Sequence, residues 1–293
     1  MTTRIKGAVA LFFNIVAIKE KYMDKSYPVV LSIAGSDPSG GAGIQADIKS
    51  ISAMGGYAAA AITAVTVQNT MGVREVEYMP PRLVASQIAA VFEDLSPDAV
   101  KIGMTGTGPV IEAVAGELKR FNARNTVCDP VMVATSKDRL TMPEAVAVLI
   151  REIFPLCCIA TPNLDETSVL VGERVDTPEK MKAAAEALHK RYGCAFLVKG
   201  GDMKGGKVSL DILCDANGTT AYEAPRVNTS NLHGTGCTLS SAIATLLGKG
   251  MDMHDAVKAA KDYVHGAIVG AAGLKIGHGN GPLRHFHPEK MHK

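Results

Sequence analysis

Pro28-Val29-Val30-Leu31-Ser32-Ile33-Ala34 runs straight into Gly35-Ser36-Asp37-Pro38-Ser39-Gly40-Gly41-Ala42-Gly43, after which Ile44, Ile48 and Ile51 recur at i, i+4 and i+7. The first stretch is a nearly continuous apolar run, as expected of a strand covered on both faces in a parallel sheet. The glycines mark a tight loop, and the isoleucine spacing predicts an amphipathic helix. Strand, glycine loop and helix together are the opening unit of an α/β fold.

The same unit recurs outward from this stretch. Ala58 to Val67 reads as a strand, and Pro80-Pro81 starts a helix carrying Leu83, Ile88, Val91 and Phe92. Asp98–Ile102, Asn125–Cys128 and Cys157–Ala160 are short buried strands, separated by helices from about Pro109 to Phe121 and from Pro143. Helices are expected near Asn163 and after Pro178, then strands at Ala195–Val198, Ser209–Leu213 and Thr220–Glu223. The last two helices span about Gly236–Leu247 and Met253–Ala271. With no linker, repeat or low-complexity segment, residues 23–293 are expected to form one domain. Ligands in such sheets bind at the carboxyl ends of the strands. The segments there are Gly35 to Gly43, Gln68-Asn69, Gly103-Met104, Asp129, Asn163 and Lys199-Gly200-Gly201.

Composition narrows the function. The chain has 293 residues, 47% hydrophobic and 20% charged, with net charge +2 and no Trp, which argues against a nucleic-acid partner. Six cysteines, mostly inside apolar runs and without metal-ligand spacing, point to a reducing cytoplasm. The apolar run from Gly7 to Ile18 is too short to span a bilayer, and no small-residue cleavage site follows it. Residues 1–22 are therefore read as an extension upstream of a domain that begins at Met23. His285 and His287 near the end of the chain are expected to be solvated and are assigned no site.

Two glycine motifs are decoys. Gly41-Ala42-Gly43-Ile44-Gln45-Ala46 fits the dinucleotide fingerprint, but no acidic residue lies between Asp47 and Glu75 to hold a ribose. Gly201 to Lys207 matches a phosphate loop only up to the lysine, because Val208 replaces the required Ser or Thr; a hairpin turn explains it better. Gly234-Thr235-Gly236-Cys237 opens a predicted helix. Glycines there can turn N–H groups inward while the helix adds its positive end, making a nest for a transferred phosphoryl group. Cys237, at the helix start, is expected to have a lowered pKa and to accept a proton from a substrate hydroxyl. Taken alone, a glycine-containing helix cap with a buried Cys explains the segment as well.

From about Val29 to Phe286 the chain resembles the ribokinase-like superfamily, and within it the bacterial hydroxymethylpyrimidine/phosphomethylpyrimidine kinases. The carrying segments are Ala34 to Asp47, Thr66-Val67-Gln68-Asn69-Thr70, Lys101-Ile102-Gly103-Met104 and Asp129-Pro130-Val131-Met132. They continue with Thr161-Pro162-Asn163, Lys199-Gly200-Gly201, His233 to Cys237 and Gly277-His278-Gly279. The resemblance implies a three-layer α/β/α sandwich with a central, mostly parallel sheet. It also implies ATP and Mg²⁺ as cofactors, and a cytoplasmic protein with no membrane partner that could be a homodimer.

The resemblance further assigns roles. Asp47 and Gln68 would hold the pyrimidine amino and ring nitrogens, with Gly35, Ala42, Met104 and Val131 completing the pocket. Gly234, Thr235, Gly236 and Cys237 would be catalytic. Asp129 and Glu166 would face the metal, and Asn163, Lys199, Thr229, His233 and Lys261 would border the nucleotide. Asn163 and Glu166 also fit a helix capping box, and a solvated helix face explains Lys261 equally well. A pyridoxal kinase of the same fold is the rival reading, and a non-catalytic nucleotide- or vitamer-binding regulator is a second. Some thiol-dependent pyridoxal kinases carry a second Cys after the Asp-Pro-Val-Met segment, where this chain reads Val133-Ala134-Thr135-Ser136. The polar stretch from Thr135 to Thr141 is read as a lid.

Overall fold

The computed structural model describes residues 27–132, 143–203 and 205–287. The readings for residues 1–22 and for the Thr135–Thr141 lid lie outside them.

Strand β1 (Val29–Ser36) leads through the glycine loop into α1 (Gly43–Ala53), then β2 (Tyr57–Asn69), β3 (Gly72–Tyr78) and α2 (Pro81–Leu95). Next come β4 (Ala99–Ile102), α3 (Gly108–Arg120), β5 (Thr126–Cys128), α4 (Pro143–Glu152) and β6 (Ile159–Ala160). The chain continues with α5 (Leu164–Val171), α6 (Pro178–Tyr192), β7 (Ala195–Lys199), β8 (Val208–Asp215) and β9 (Gly218–Pro225). It ends with α7 (Thr235–Gly248) and α8 (Met253–Ala271). One nine-stranded sheet runs in the order β3-β2-β1-β4-β5-β6-β7-β8-β9. The six strands from β2 to β7 are parallel, and β3, β8 and β9 pair antiparallel at the two edges.

Strand alternation builds a core on each face. Leu31 and Ile33 of β1, Val100 and Ile102 of β4, Cys128 of β5 and Phe196 of β7 pack with α2, α3 and α4. Val30, Ala99, Val127, Ile159, Ala195 and Leu197 face the other way and pack with α7 and α8. Burying each large side chain contributes about 1.5–3 kcal/mol, so neither helical layer is dispensable. The result is the expected three-layer sandwich.

Strand β3 is missing from the sequence reading. Its Gly72-Val73-Arg74-Glu75-Val76-Glu77-Tyr78 lacks clean alternation because Arg74 is an extra residue. Val67 pairs with Glu75 while Gln68 pairs with Val73. That bulge returns Val73, Val76 and Tyr78 to one side, against Met104 and Ala64.

Candidate functional site

Most of the sequence-predicted residues gather at the carboxyl end of the parallel strands, where α7 begins. Gly234 caps α7 in the left-handed region, with φ +85° and no side-chain cap. The backbone of the glycine loop rests on it: a Cβ at Gly234 would lie 1.9 Å from the Gly41 carbonyl oxygen. The N–H groups of Gly236 and Cys237 belong to the first helical turn, whose donors have no intrahelical acceptor. Gly236 leaves room for an ion pair, since a Cβ there would meet both Asp129 Oδ2 and Lys199 Nζ at 3.1 Å. Lys199 Nζ donates to Asp129 Oδ1 at 2.7 Å, and Thr161 adds a hydroxyl to the same oxygen at 3.3 Å. The turn, Asp129 and Lys199 thus form one polar cluster.

Glu166 lies beside this cluster. It completes the capping box with Asn163, accepting from the Asn163 N–H at 2.8 Å, and its other oxygen accepts from the Met132 N–H. Burial pushes the Glu166 carboxyl up to about 7; Asp129 adds to this and Lys199 opposes it. Among the described residues no group of three or more His, Cys, Asp or Glu gathers to hold a metal. The donors present are two mutually repelling carboxylates, a set that suits Mg²⁺, which keeps waters and substrate phosphates as its other ligands.

Gly35, Met104 and Val131 converge on an apolar wall. A Cβ at Gly35 would meet Met104 Sδ at 3.1 Å, and Val131 packs on the same cluster with Val73, Val76 and Tyr78. Ala42 sits at the start of α1, its N–H donating to Asp37. Gln68 is half-buried at the end of β2.

Several expectations change. Asp47 does not face a ligand: it is fully buried and accepts from Lys101 Nζ at 2.8 Å through both oxygens, from Ser32 Oγ at 2.6 Å and from Ser241 Oγ at 2.8 Å. Those four bonds use a carboxylate's full acceptor capacity. His233 is buried beneath the glycine loop, its Nε2 2.8 Å from Asp37 Oδ2. Lys261 is not on a solvated face. It is buried, donating to Asp211 at 2.6 Å, and Asp211 in turn accepts from the Gly200 N–H next to Lys199. Thr229 accepts from the Asn231 N–H in the approach to the turn.

A further change concerns Cys237. Its thiol is pushed up to about 11, not down: burial is the main cause, Asp47 and Asp129 add to it, and Lys101 and the Gly43 N–H oppose it. A helix start supplies at most ~2 kcal/mol to an anion, whereas desolvating a charge costs several kcal/mol. His285 is also buried, hydrogen-bonded to Thr238 Oγ1 at 3.1 Å and held down at about 4 by burial, so the terminal histidine pair is not solvated. All six cysteines are free.

Two functional groups escaped the sequence reading of roles. Lys101 is fully buried, and the Asp47 and Cys237 environment outweighs desolvation and raises its pKa. A lysine inside a four-residue buried strand was the available signal, because buried lysines need a partner. Asp37 fills the glycine loop from within, accepting the N–H groups of Ser39, Gly41 and Ala42. Those three loop donors are therefore occupied by the loop's own carboxylate.

No helix of the described residues is long and apolar enough to cross a membrane. The family profile described as Phosphomethylpyrimidine kinase matches residues 37–284. A hydroxymethylpyrimidine/phosphomethylpyrimidine kinase of Rhizobium meliloti (strain 1021) is 50% identical over 260 residues, 88% of this chain and 97% of that protein. The crystal structure of a phosphomethylpyrimidine kinase from Clostridium difficile 630 has TM-score 0.73 and 41% identity, covering 82% of this chain and 99% of that one. The pyridoxal kinase of Staphylococcus aureus in complex with AMP-PCP has TM-score 0.82 at 30% identity, covering 91% and 96%. The chain is a kinase, with ATP as its phosphate donor, and belongs to the phosphomethylpyrimidine kinase family.

Proposed function

We propose that this chain transfers the γ-phosphoryl group of ATP to the hydroxymethyl oxygen of 4-amino-5-hydroxymethyl-2-methylpyrimidine, then adds a second phosphoryl to the monophosphate, as a step in thiamin biosynthesis. The observation that carries this reading is the packing of the Gly234–Cys237 turn on the Asp129–Lys199 pair. Phosphoryl transfer asks mainly for positioning and charge stabilisation, and inward N–H groups beside a lysine supply both. In the first transfer the substrate O–H loses its proton to the Cys237 thiolate, which becomes the thiol. The oxygen forms a bond to Pγ, the bond from Pγ to the bridging oxygen breaks, and its electron pair leaves with ADP. In the second transfer the acceptor is already an ionised phosphate and needs no base. Gly35, Met104, Val131 and Gln68 form the ring pocket, with Ala42 at its edge. Asp47 acts from behind by holding Lys101.

Asp129 and Glu166 are the residues that would hold Mg²⁺, which neutralises phosphate charge when bound. A carboxyl at about 7 must lose its proton to ligate, so proton and metal compete. The Mg²⁺ concentration giving half-maximal rate is expected to stay level above pH 7 and rise up to about tenfold per pH unit below it. Titrations from pH 5.5 to 8 check this. Glu166→Gln, which keeps the capping box, should flatten the dependence.

A pyridoxal kinase has one observation in its favour, the fold similarity to the Staphylococcus aureus enzyme. Fold alone does not select a substrate. ADP release measured with the hydroxymethylpyrimidine, its monophosphate and pyridoxal decides. Turnover of the two pyrimidines well above pyridoxal is the expected result, and preference for pyridoxal would overturn the reading.

A further inference from the structure

Gln68, His233 and Asp37 come from the end of β2, the catalytic turn and the glycine loop, and they meet at one atom. His233 Nε2 lies 2.8 Å from Asp37 Oδ2 and 3.3 Å from the end of the Gln68 amide. Asp37 also accepts from the Ser39 N–H and hydroxyl and from the N–H groups of Gly41 and Ala42. Burial alone would raise its carboxyl, but the hydrogen bonds from His233, Ser39 and Ala42 hold it at about 2. A carboxylate surrounded by donors requires that His233 Nε2 carry a hydrogen.

That hydrogen decides how Gln68 lies. The two ends of an amide have the same shape, and hydrogen-bond accounting tells them apart. An N–H cannot accept from an NH₂ group, so the carbonyl of Gln68 must face His233. The NH₂ end then points to Thr66 Oγ1, 3.2 Å from the amide, and the Thr66 hydroxyl donates to the Ser36 carbonyl at 3.0 Å. The one Nε2 hydrogen is shared, pointing mainly at Asp37 Oδ2 at 2.8 Å and secondarily at the Gln68 carbonyl at 3.3 Å. In the reverse orientation the single Thr66 hydroxyl hydrogen would have to serve two acceptors, and two donors would collide at His233.

We propose that Asp37, His233 and Thr66 form a specificity lock. They fix the Gln68 amide so that its remaining N–H and remaining carbonyl lone pair are offered to the substrate ring in one order. This rests on the pyrimidine kinase reading above. A fixed donor beside a fixed acceptor complements an unprotonated ring nitrogen beside an amino group. The 4-oxo analogue of the same pyrimidine reverses that edge, with a ring N–H beside a carbonyl. It would therefore be rejected unless Gln68 turned over. His233 and Thr66 are positioning residues, acting through Gln68.

The test compares kcat/KM for 5-hydroxymethyl-2-methylpyrimidine carrying a 4-amino or a 4-oxo group. The native enzyme should prefer the 4-amino compound by at least roughly 100-fold, the scale set by leaving buried polar groups mispaired. In His233→Ala the preference should fall to within about tenfold, since Gln68 is free to turn. Thr66→Val releases the other end of the amide far from the catalytic turn and should do the same, which keeps the test open if His233→Ala does not fold. A general loss of packing would lower both rates and leave their ratio. An unchanged ratio in the folded variants, or equal turnover of both compounds by the native enzyme, overturns the lock. Failure to phosphorylate either compound overturns the pyrimidine reading itself, and the lock with it.

Discussion

Replacing Gly234 by alanine should lower the rate of phosphoryl transfer by about 10²–10³. At φ +85° any residue with a Cβ is strained, at ~1–2 kcal/mol. The larger effect is steric: the new Cβ would lie 1.9 Å from the Gly41 carbonyl oxygen, 2.9 Å from the Gly41 carbonyl carbon and 3.2 Å from Ala42 Cα. All three are backbone atoms, so no side chain can swing aside. The glycine loop must move away from the turn, and it takes with it the Gly43 N–H that contacts the Cys237 sulfur. Steady-state kinetics and urea unfolding check this together, with a stability loss of roughly 2–4 kcal/mol expected. Gly116→Ala is the control. A Cβ there meets nothing within 4 Å, and an exposed helical glycine replaced by alanine should leave stability level or higher.

Replacing Cys237 by alanine should lower the first transfer by about 10²–10⁴, the usual range for a lost general base. The thiol at about 11 shapes how the native enzyme responds to pH. Below that value the thiolate fraction rises tenfold per pH unit. The first transfer should therefore climb through pH 7–9 in the native enzyme and lose that slope in the variant. The effect comes from ionisation, so Cys237→Ser, with a far weaker acid at that position, should resemble alanine.

The parallel strands were legible because each is a short apolar run ending in a chemically distinctive residue. Strand β3 was hidden by one extra residue, Arg74, which breaks the alternation that a reader of sequence relies on. The site was legible in its residue types and less so in its pairings. Asp47 reads as an exposed helical carboxylate until Lys101, 54 positions away, and Ser241, 194 positions away, are brought against it. His233 and Asp37 are 196 positions apart, and neither neighbourhood announces the other. The expectation for Cys237 failed for a different reason. Its place at a helix start was visible, but the burial that outweighs the helix field is a property of the packed cluster and of no local segment.

The proposed mechanism makes the Gly234–Cys237 turn the phosphoryl-transfer site and Cys237 a base in only one of two successive transfers. Separate single-turnover measurements of the two transfers in Cys237→Ala test it most directly, using the hydroxymethylpyrimidine for one and its monophosphate for the other. The first transfer should be slowed by about 10²–10⁴ and the second changed by less than about tenfold. A folded variant in which the first transfer proceeds at the native rate would contradict it.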